Sequence, residues 1–203
     1  MKKESINPYK IAAIGGTLLI LLQIFRIFAS RLQLVDLMYP GTLATVTMSF
    51  ASLIISVMLY YGYIYFGKQN NNILMVISSI LVIFSLVVSS SFTLLTFLFQ
   101  KFTSTGLFNN PFLMMGRFLN FFSIFYILLG ASIILSKKEL GNLGLVTGII
   151  IIIDSFLSLS YMFIFPIYPK FIQISYIMFY LFYIEKILQI FLFYFLSTKK
   201  GLH

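Results

Sequence analysis

The chain has 203 residues, of which 60% are hydrophobic and only 9% are charged, and its mean hydropathy is +1.02. A soluble domain carries about 25% charged residues, so this composition excludes a soluble globular domain and predicts an integral protein of the cell membrane. The net charge of +9 does not indicate nucleic acid, because the basic residues fall between apolar runs and at the termini, where they meet anionic lipid headgroups.

Six apolar stretches are long enough to cross a bilayer, since a spanning helix needs about 20 mostly apolar residues. All five prolines lie near the ends of these stretches. The first stretch is expected to be retained as a spanning helix rather than removed as a signal peptide. We predict one all-α domain, a transmembrane helix bundle, with spans at about 10–30, 42–66, 73–99, 112–135, 143–166 and 171–196.

The distribution of lysine and arginine predicts the orientation of the bundle. One side carries eight basic residues, namely Lys2, Lys3, Lys10, Lys68, Lys137, Lys138, Lys199 and Lys200. The other side carries three, namely Arg31, Lys101 and Lys170. Because the richer side normally faces the cytoplasm, we expect both termini to be cytoplasmic.

Basic residues also gather toward the predicted outer face. Arg26 lies near the end of the first span, Arg31 follows it, and Arg117 lies one turn into the fourth span. Arg26 and Arg117 fall at roughly 20–24 Å from the cytoplasmic side, at a rise of about 1.5 Å per residue. Their side chains are expected to reach the outer headgroups. A pocket for an anion or a lipid headgroup is the alternative.

Small residues follow one face of the second span and open the fifth. Along the second span they are Thr45, Ser49, Ser52 and Ser56, and in the fifth they are Gly144 and Gly148. Small faces let transmembrane helices approach closely, so these positions are predicted to pack against other helices. A polar pore lining is the alternative interpretation.

Three charges lie inside the last two spans, where ionisable residues are costly and are candidates for function. Asp154 lies roughly 16 Å from the cytoplasmic edge, and Glu185 and Lys186 reach a similar depth on the next, antiparallel helix. A charge at the centre of a helix costs about 2.5–3.5 kcal/mol on insertion. We therefore predict that Asp154 pairs with Lys186. An ion- or proton-coupled site, or docking to a partner subunit, is the alternative.

The composition limits the chemistry that this chain can carry. It contains no cysteine, and the single histidine, His203, is the last residue. Disulfides, thiolate nucleophiles, Ser-His catalysis and imidazole-bound metal centres are therefore excluded for this chain alone. We expect no cofactor and no catalytic centre.

Three functional classes are compatible with the sequence. The first is a non-catalytic accessory or structural subunit that associates with other membrane proteins, since the loops are short and the spans carry packing residues. The second is a small transporter or ligand-binding membrane protein that uses Asp154 and Glu185 at the midplane. An intramembrane enzyme is a third class, which would have only carboxylates and arginine for its chemistry.

Overall fold

The computed structural model describes residues 7–31, 42–102, 119–164 and 172–199. These residues form helices with short connections, and no strand occurs among them. The six α-helices are α1 Pro8–Arg31, α2 Leu43–Gln69, α3 Ile73–Phe102, α4 Ser123–Leu135, α5 Lys137–Ile164 and α6 Ile172–Lys199, with a 3-10 turn at Asn120–Phe122 before α4.

Helix length and hydropathy identify a helical membrane bundle, as predicted. Five helices are long and apolar enough to cross a membrane, namely α1, α2, α3, α5 and α6. The described part of the fourth span is a shorter apolar helix, Asn120–Leu135. The beginning of the predicted fourth span, 112–118, lies outside the described residues, so the total of six spans stays a prediction.

The helices form a closed ring in chain order. Each helix packs against its neighbours in sequence, and α6 returns to pack against α1. Large apolar side chains on the outside of the ring are exposed, among them Phe28, Ile54, Phe156 and Phe191. In a bilayer this apolar exterior faces lipid.

One end of the ring is held together by polar contacts between helix termini. The Tyr9 hydroxyl, at the start of α1, donates a hydrogen bond to Gln69 Oε1 at the end of α2, at 2.9 Å. The Asn72 side chain, between α2 and α3, donates to Ser136 Oγ between α4 and α5, at 2.7 Å. The ring of Phe193, near the end of α6, stacks on Tyr9.

The described lysines at the helix termini, other than Lys101, belong to this same end of the ring. They are Lys10, Lys68, Lys137, Lys138 and Lys199, and we call this end the lysine end. The helices therefore alternate in direction around the ring. Which side of the membrane the lysine end faces stays a prediction.

Glycine shapes α5 at two points. At Gly141, φ is +65°, a conformation that favours glycine, and it separates the first turn of α5 from the rest of the helix. Further along, a Cβ at Gly148 would lie 2.6 Å from the carbonyl oxygen of Gly130 in α4. The α4 and α5 backbones therefore pack in close contact, which requires a residue without a side chain at this crossing.

Candidate intramembrane binding site

A polar cavity of about 240 Å³ lies at the centre of the ring. All six helices contribute to its wall. The described polar residues that line it are Gln23, Ser52, Ser56, Tyr60, Ser123, Tyr126, Asp154, Ser155, Ser158, Glu185 and Lys186. Ligand sites in membrane bundles are typically built in this way, from inward-facing side chains near the bilayer midplane.

The two charges of α6 form a buried ion pair in the cavity wall. Lys186 Nζ lies 2.5 Å from Glu185 Oε1, and the two residues are only 5% and 3% exposed. The Gln189 side chain, one turn further along, donates a hydrogen bond to the same carboxylate oxygen at 3.0 Å. A buried charge is tolerated only when it is paired and hydrogen-bonded, and Glu185 satisfies both conditions.

The Lys186 ammonium group is also satisfied by neighbours other than Glu185. It donates to the Tyr60 hydroxyl of α2 at 3.4 Å and to Gln189 Oε1 at 3.5 Å. The same nitrogen lies 5.7 Å from the ring centre of Tyr60 and 5.4 Å from that of Phe182, within the range of a cation–π interaction. Lys186 is thus fixed between α2 and α6.

Asp154 faces the same cavity from α5 and is half-buried. Its carboxyl group lies close enough to interact electrostatically with both Glu185 and Lys186. The structure therefore brings the three predicted midplane charges together. It corrects the partner in the ion pair, however, because Lys186 contacts Glu185 rather than Asp154. Helix depth predicted the cluster, but the flexible lysine side chain reaches its own neighbour in sequence.

The charges of the cavity wall are not balanced. Among the described residues that line it, two carry carboxyl groups, Asp154 and Glu185, and one carries a positive charge, Lys186. The positive charge is engaged by Glu185. Carboxyl groups therefore outnumber ammonium groups by one in this wall, and Asp154 is the excess carboxyl group, because it forms no ion pair among the described residues.

The four small residues predicted on one face of α2 have different surroundings. Ser49 contacts α3, where its hydroxyl donates to Ser90 Oγ at 3.3 Å. Thr45 belongs to the start of the helix, where its backbone N–H donates to the capping residue Thr42. Ser52 and Ser56 line the cavity, and the alternative interpretation, a polar pore lining, stays a prediction.

The glycines at the start of α5 also differ in their surroundings. Gly148 lies against Gly130 of α4, as described above. The nearest atoms to a Cβ at Gly144 belong to Leu140 of the same helix. Of the two predicted packing positions, Gly148 lies at the contact between helices.

The predicted outer basic cluster is described only in part. Arg26 is half-buried on α1 and does not line the central cavity. Arg117 and the side chain of Arg31 lie outside the described residues. The two interpretations of this cluster, headgroup contact and an anion pocket, stay predictions.

Two tyrosines of the site were not predicted from the sequence. Tyr60 and Tyr126 line the cavity, and Tyr60 contacts Lys186 directly. A signal for Tyr60 was present, because it follows Ser56 by one turn and so continues the inward face of α2. The predicted face of α2 was defined by small residues only, so it stopped at Ser56 and did not include Tyr60.

The described residues contain no group of three or more His, Cys, Asp or Glu side chains that could hold a metal ion. Comparison with known protein families, with curated proteins and with solved structures finds no match for this chain. We therefore infer the function from the lining and the geometry of the cavity.

Proposed function

We propose that this membrane protein is a small transporter that binds a positively charged solute in the central cavity. The observation that carries the proposal is the excess carboxyl group in the cavity wall. Asp154 faces the cavity while Lys186 is engaged by Glu185 and Tyr60. A cationic solute would supply the second positive charge, whereas an anion would meet two carboxyl groups at close range.

The form of the cavity supports reversible binding of a small solute. Its volume of about 240 Å³ is large enough for a small organic molecule or several waters. Serine hydroxyls, the Gln23 amide and tyrosine hydroxyls surround the charges, and these groups can replace the hydration of a polar solute. Hydrophobic packing alone would not require such a lining.

The position of the cavity supports transport. It is enclosed by a ring of helices that alternate in direction, and residues near the middle of α5 and α6 supply its charges. Intramembrane charges that face a cavity commonly mark a substrate pathway. The alternative role, an accessory subunit that associates with other membrane proteins, stays a prediction, and the exposed apolar surface needs only lipid as its neighbour.

Charge movement tests the proposal. Purified protein in proteoliposomes on a solid-supported membrane is exposed to ethylammonium or tetramethylammonium chloride, with protein-free liposomes as background. We expect a transient current for the wild type and its loss in Asp154→Asn. Glu139→Gln is the matched control, because Glu139 is an exposed carboxylate on the same helix.

Two results would contradict the proposal. Equal currents in wild type and Asp154→Asn would show that this carboxyl group does not bind the cation. Absence of current, together with a stable association with another membrane protein in mild detergent, would favour the accessory-subunit hypothesis instead.

A further inference from the structure

A second recess adjoins the central cavity between α1, α5 and α6. Its volume is about 350 Å³. Four residues line both spaces, namely Gln23, Asp154, Ser158 and Phe182. Because Asp154 and Phe182 belong to both walls, the two spaces meet at the excess carboxyl group.

The recess extends away from the lysine end of the ring. On α5, Ser158 lies one turn beyond Asp154 in that direction. On the antiparallel α6, Met178 and Phe179 lie about two turns before Glu185. The polar cavity and the recess are therefore arranged along the bundle axis, with Asp154 between them.

The wall of the recess is chemically different from that of the cavity. Met178, Phe179, Phe182 and Tyr183 supply a largely apolar and aromatic surface from α6. The Tyr183 ring packs edge-on against Phe179, with ring centres 5.0 Å apart. The Tyr183 hydroxyl is buried and has no hydrogen-bond partner among the described residues.

We infer that the preferred solutes are amphipathic amines, with the ammonium group at Asp154 and an apolar arm against the aromatic wall of the recess. This inference rests on the proposed function and names its substrate class. The cavity accounts for the charge of the ligand, and the recess accounts for its apolar part. An aryl or short alkyl arm would cover Phe179 and Met178 and bury apolar surface.

Three probes separate the contributions of the charge and of the apolar arm. 2-Phenylethylammonium carries the charge and the arm, ethylammonium carries the charge alone, and 2-phenylethanol carries the arm alone. Equilibrium binding to the purified full-length protein is measured by titration calorimetry. We expect 2-phenylethylammonium to bind at least about tenfold more tightly than either of the others.

Substitutions in α6 test where the apolar arm of the solute binds. Phe179→Ala should weaken 2-phenylethylammonium binding about fivefold or more, the scale of losing part of one buried aryl contact, and should leave ethylammonium binding unchanged. Unchanged ethylammonium binding also reports that the variant is folded. Phe191→Ala is the matched control, because Phe191 is exposed on the same helix and lines neither space.

The binding data distinguish failure of this inference from failure of the proposed function. Equal affinity for the two ammonium probes would overturn the inference and leave the proposed function in place. Equal affinity for 2-phenylethanol and 2-phenylethylammonium would also overturn it and would indicate a purely apolar site, such as one for a lipid chain. No binding of either ammonium probe would overturn the proposed function as well.

Discussion

At the scale of single residues, the arrangement of Glu185, Lys186 and Gln189 explains how α6 carries two charges inside a membrane. Each charge alone costs about 2.5–3.5 kcal/mol at the helix centre. The ion pair between Glu185 and Lys186, and the hydrogen bond from Gln189, offset part of this cost. The helix therefore brings most of its own compensation, and Tyr60 of α2 completes it.

Double substitution distinguishes the true partner of Lys186. Lys186→Met should lower the thermal midpoint strongly, because removing one partner of a buried pair costs about 3–5 kcal/mol. Adding Glu185→Gln should recover much of this loss, since no charge then remains unpaired on α6. Adding Asp154→Asn should recover less, because the Glu185 carboxylate stays buried without its cation. The thermal midpoints of the purified variants in one detergent give the comparison.

One result would contradict the assignment of Glu185 as the partner of Lys186. If Asp154→Asn restores the Lys186→Met variant as well as Glu185→Gln does, Lys186 is shared equally between the two carboxyl groups. Asp154 would then be engaged by Lys186 and would not be available as the counter-ion of a ligand.

The sequence predicted the composition of the charge cluster but not its internal pairing. A fixed rise per residue in α5 and α6 places Asp154, Glu185 and Lys186 at one depth, and the structure brings them to one cavity. Pairing depends on the rotation of each helix and on side-chain rotamers. A lysine with four rotatable bonds can reach several partners, so depth alone could not select Glu185 over Asp154.

At the scale of helices, α2 shows why a row of small residues is ambiguous. Close contact between helices and a polar cavity both require small side chains with hydroxyl groups. Ser49 serves the first role and Ser52 the second, although they are only three residues apart. Sequence spacing predicted a shared helix face but could not show where the neighbouring helix ends and the cavity begins.

Leucine substitutions separate these two roles. Ser49→Leu should lower the thermal midpoint, because the larger side chain enters the contact with Ser90 of α3, and overpacking typically costs about 1–3 kcal/mol. Ser52→Leu should change the midpoint less and weaken ethylammonium binding more, because its side chain enters the cavity. Thermal denaturation and calorimetric titration of both variants provide the test. The reverse pattern would mean that Ser52 belongs to the helix contact.

At the scale of the whole molecule, the ring explains how a short chain can enclose a polar space in lipid. Apolar side chains cover the outside, and every helix contributes to the wall of the cavity. Composition alone predicted the helical membrane class, because so few charges cannot cover a soluble surface. It could not predict closure between α1 and α6, which joins helices that are far apart in sequence.

The collection of lysines at one end predicts the orientation of the ring. Single cysteines at Asn142, exposed near the lysine end, and at Ser104, in the connection predicted for the opposite side, are treated with an impermeant thiol reagent in intact cells. We expect labelling at 104 and protection at 142, because basic segments are retained in the cytoplasm. The native chain has no cysteine, so it gives the background. Labelling at 142 with protection at 104 would reverse the orientation.

A calorimetric titration of 2-phenylethylammonium tests the claim that Asp154 is the counter-ion for a cationic ligand inside the ring. The wild type and Glu139→Gln should bind with the same affinity. Asp154→Asn should lose about tenfold or more, since removing the charge of one partner of an ion pair costs about 1.4 kcal/mol or more, which corresponds to a factor of about ten. All three proteins should show similar thermal midpoints without ligand. Equal affinity in Asp154→Asn and wild type would contradict the claim.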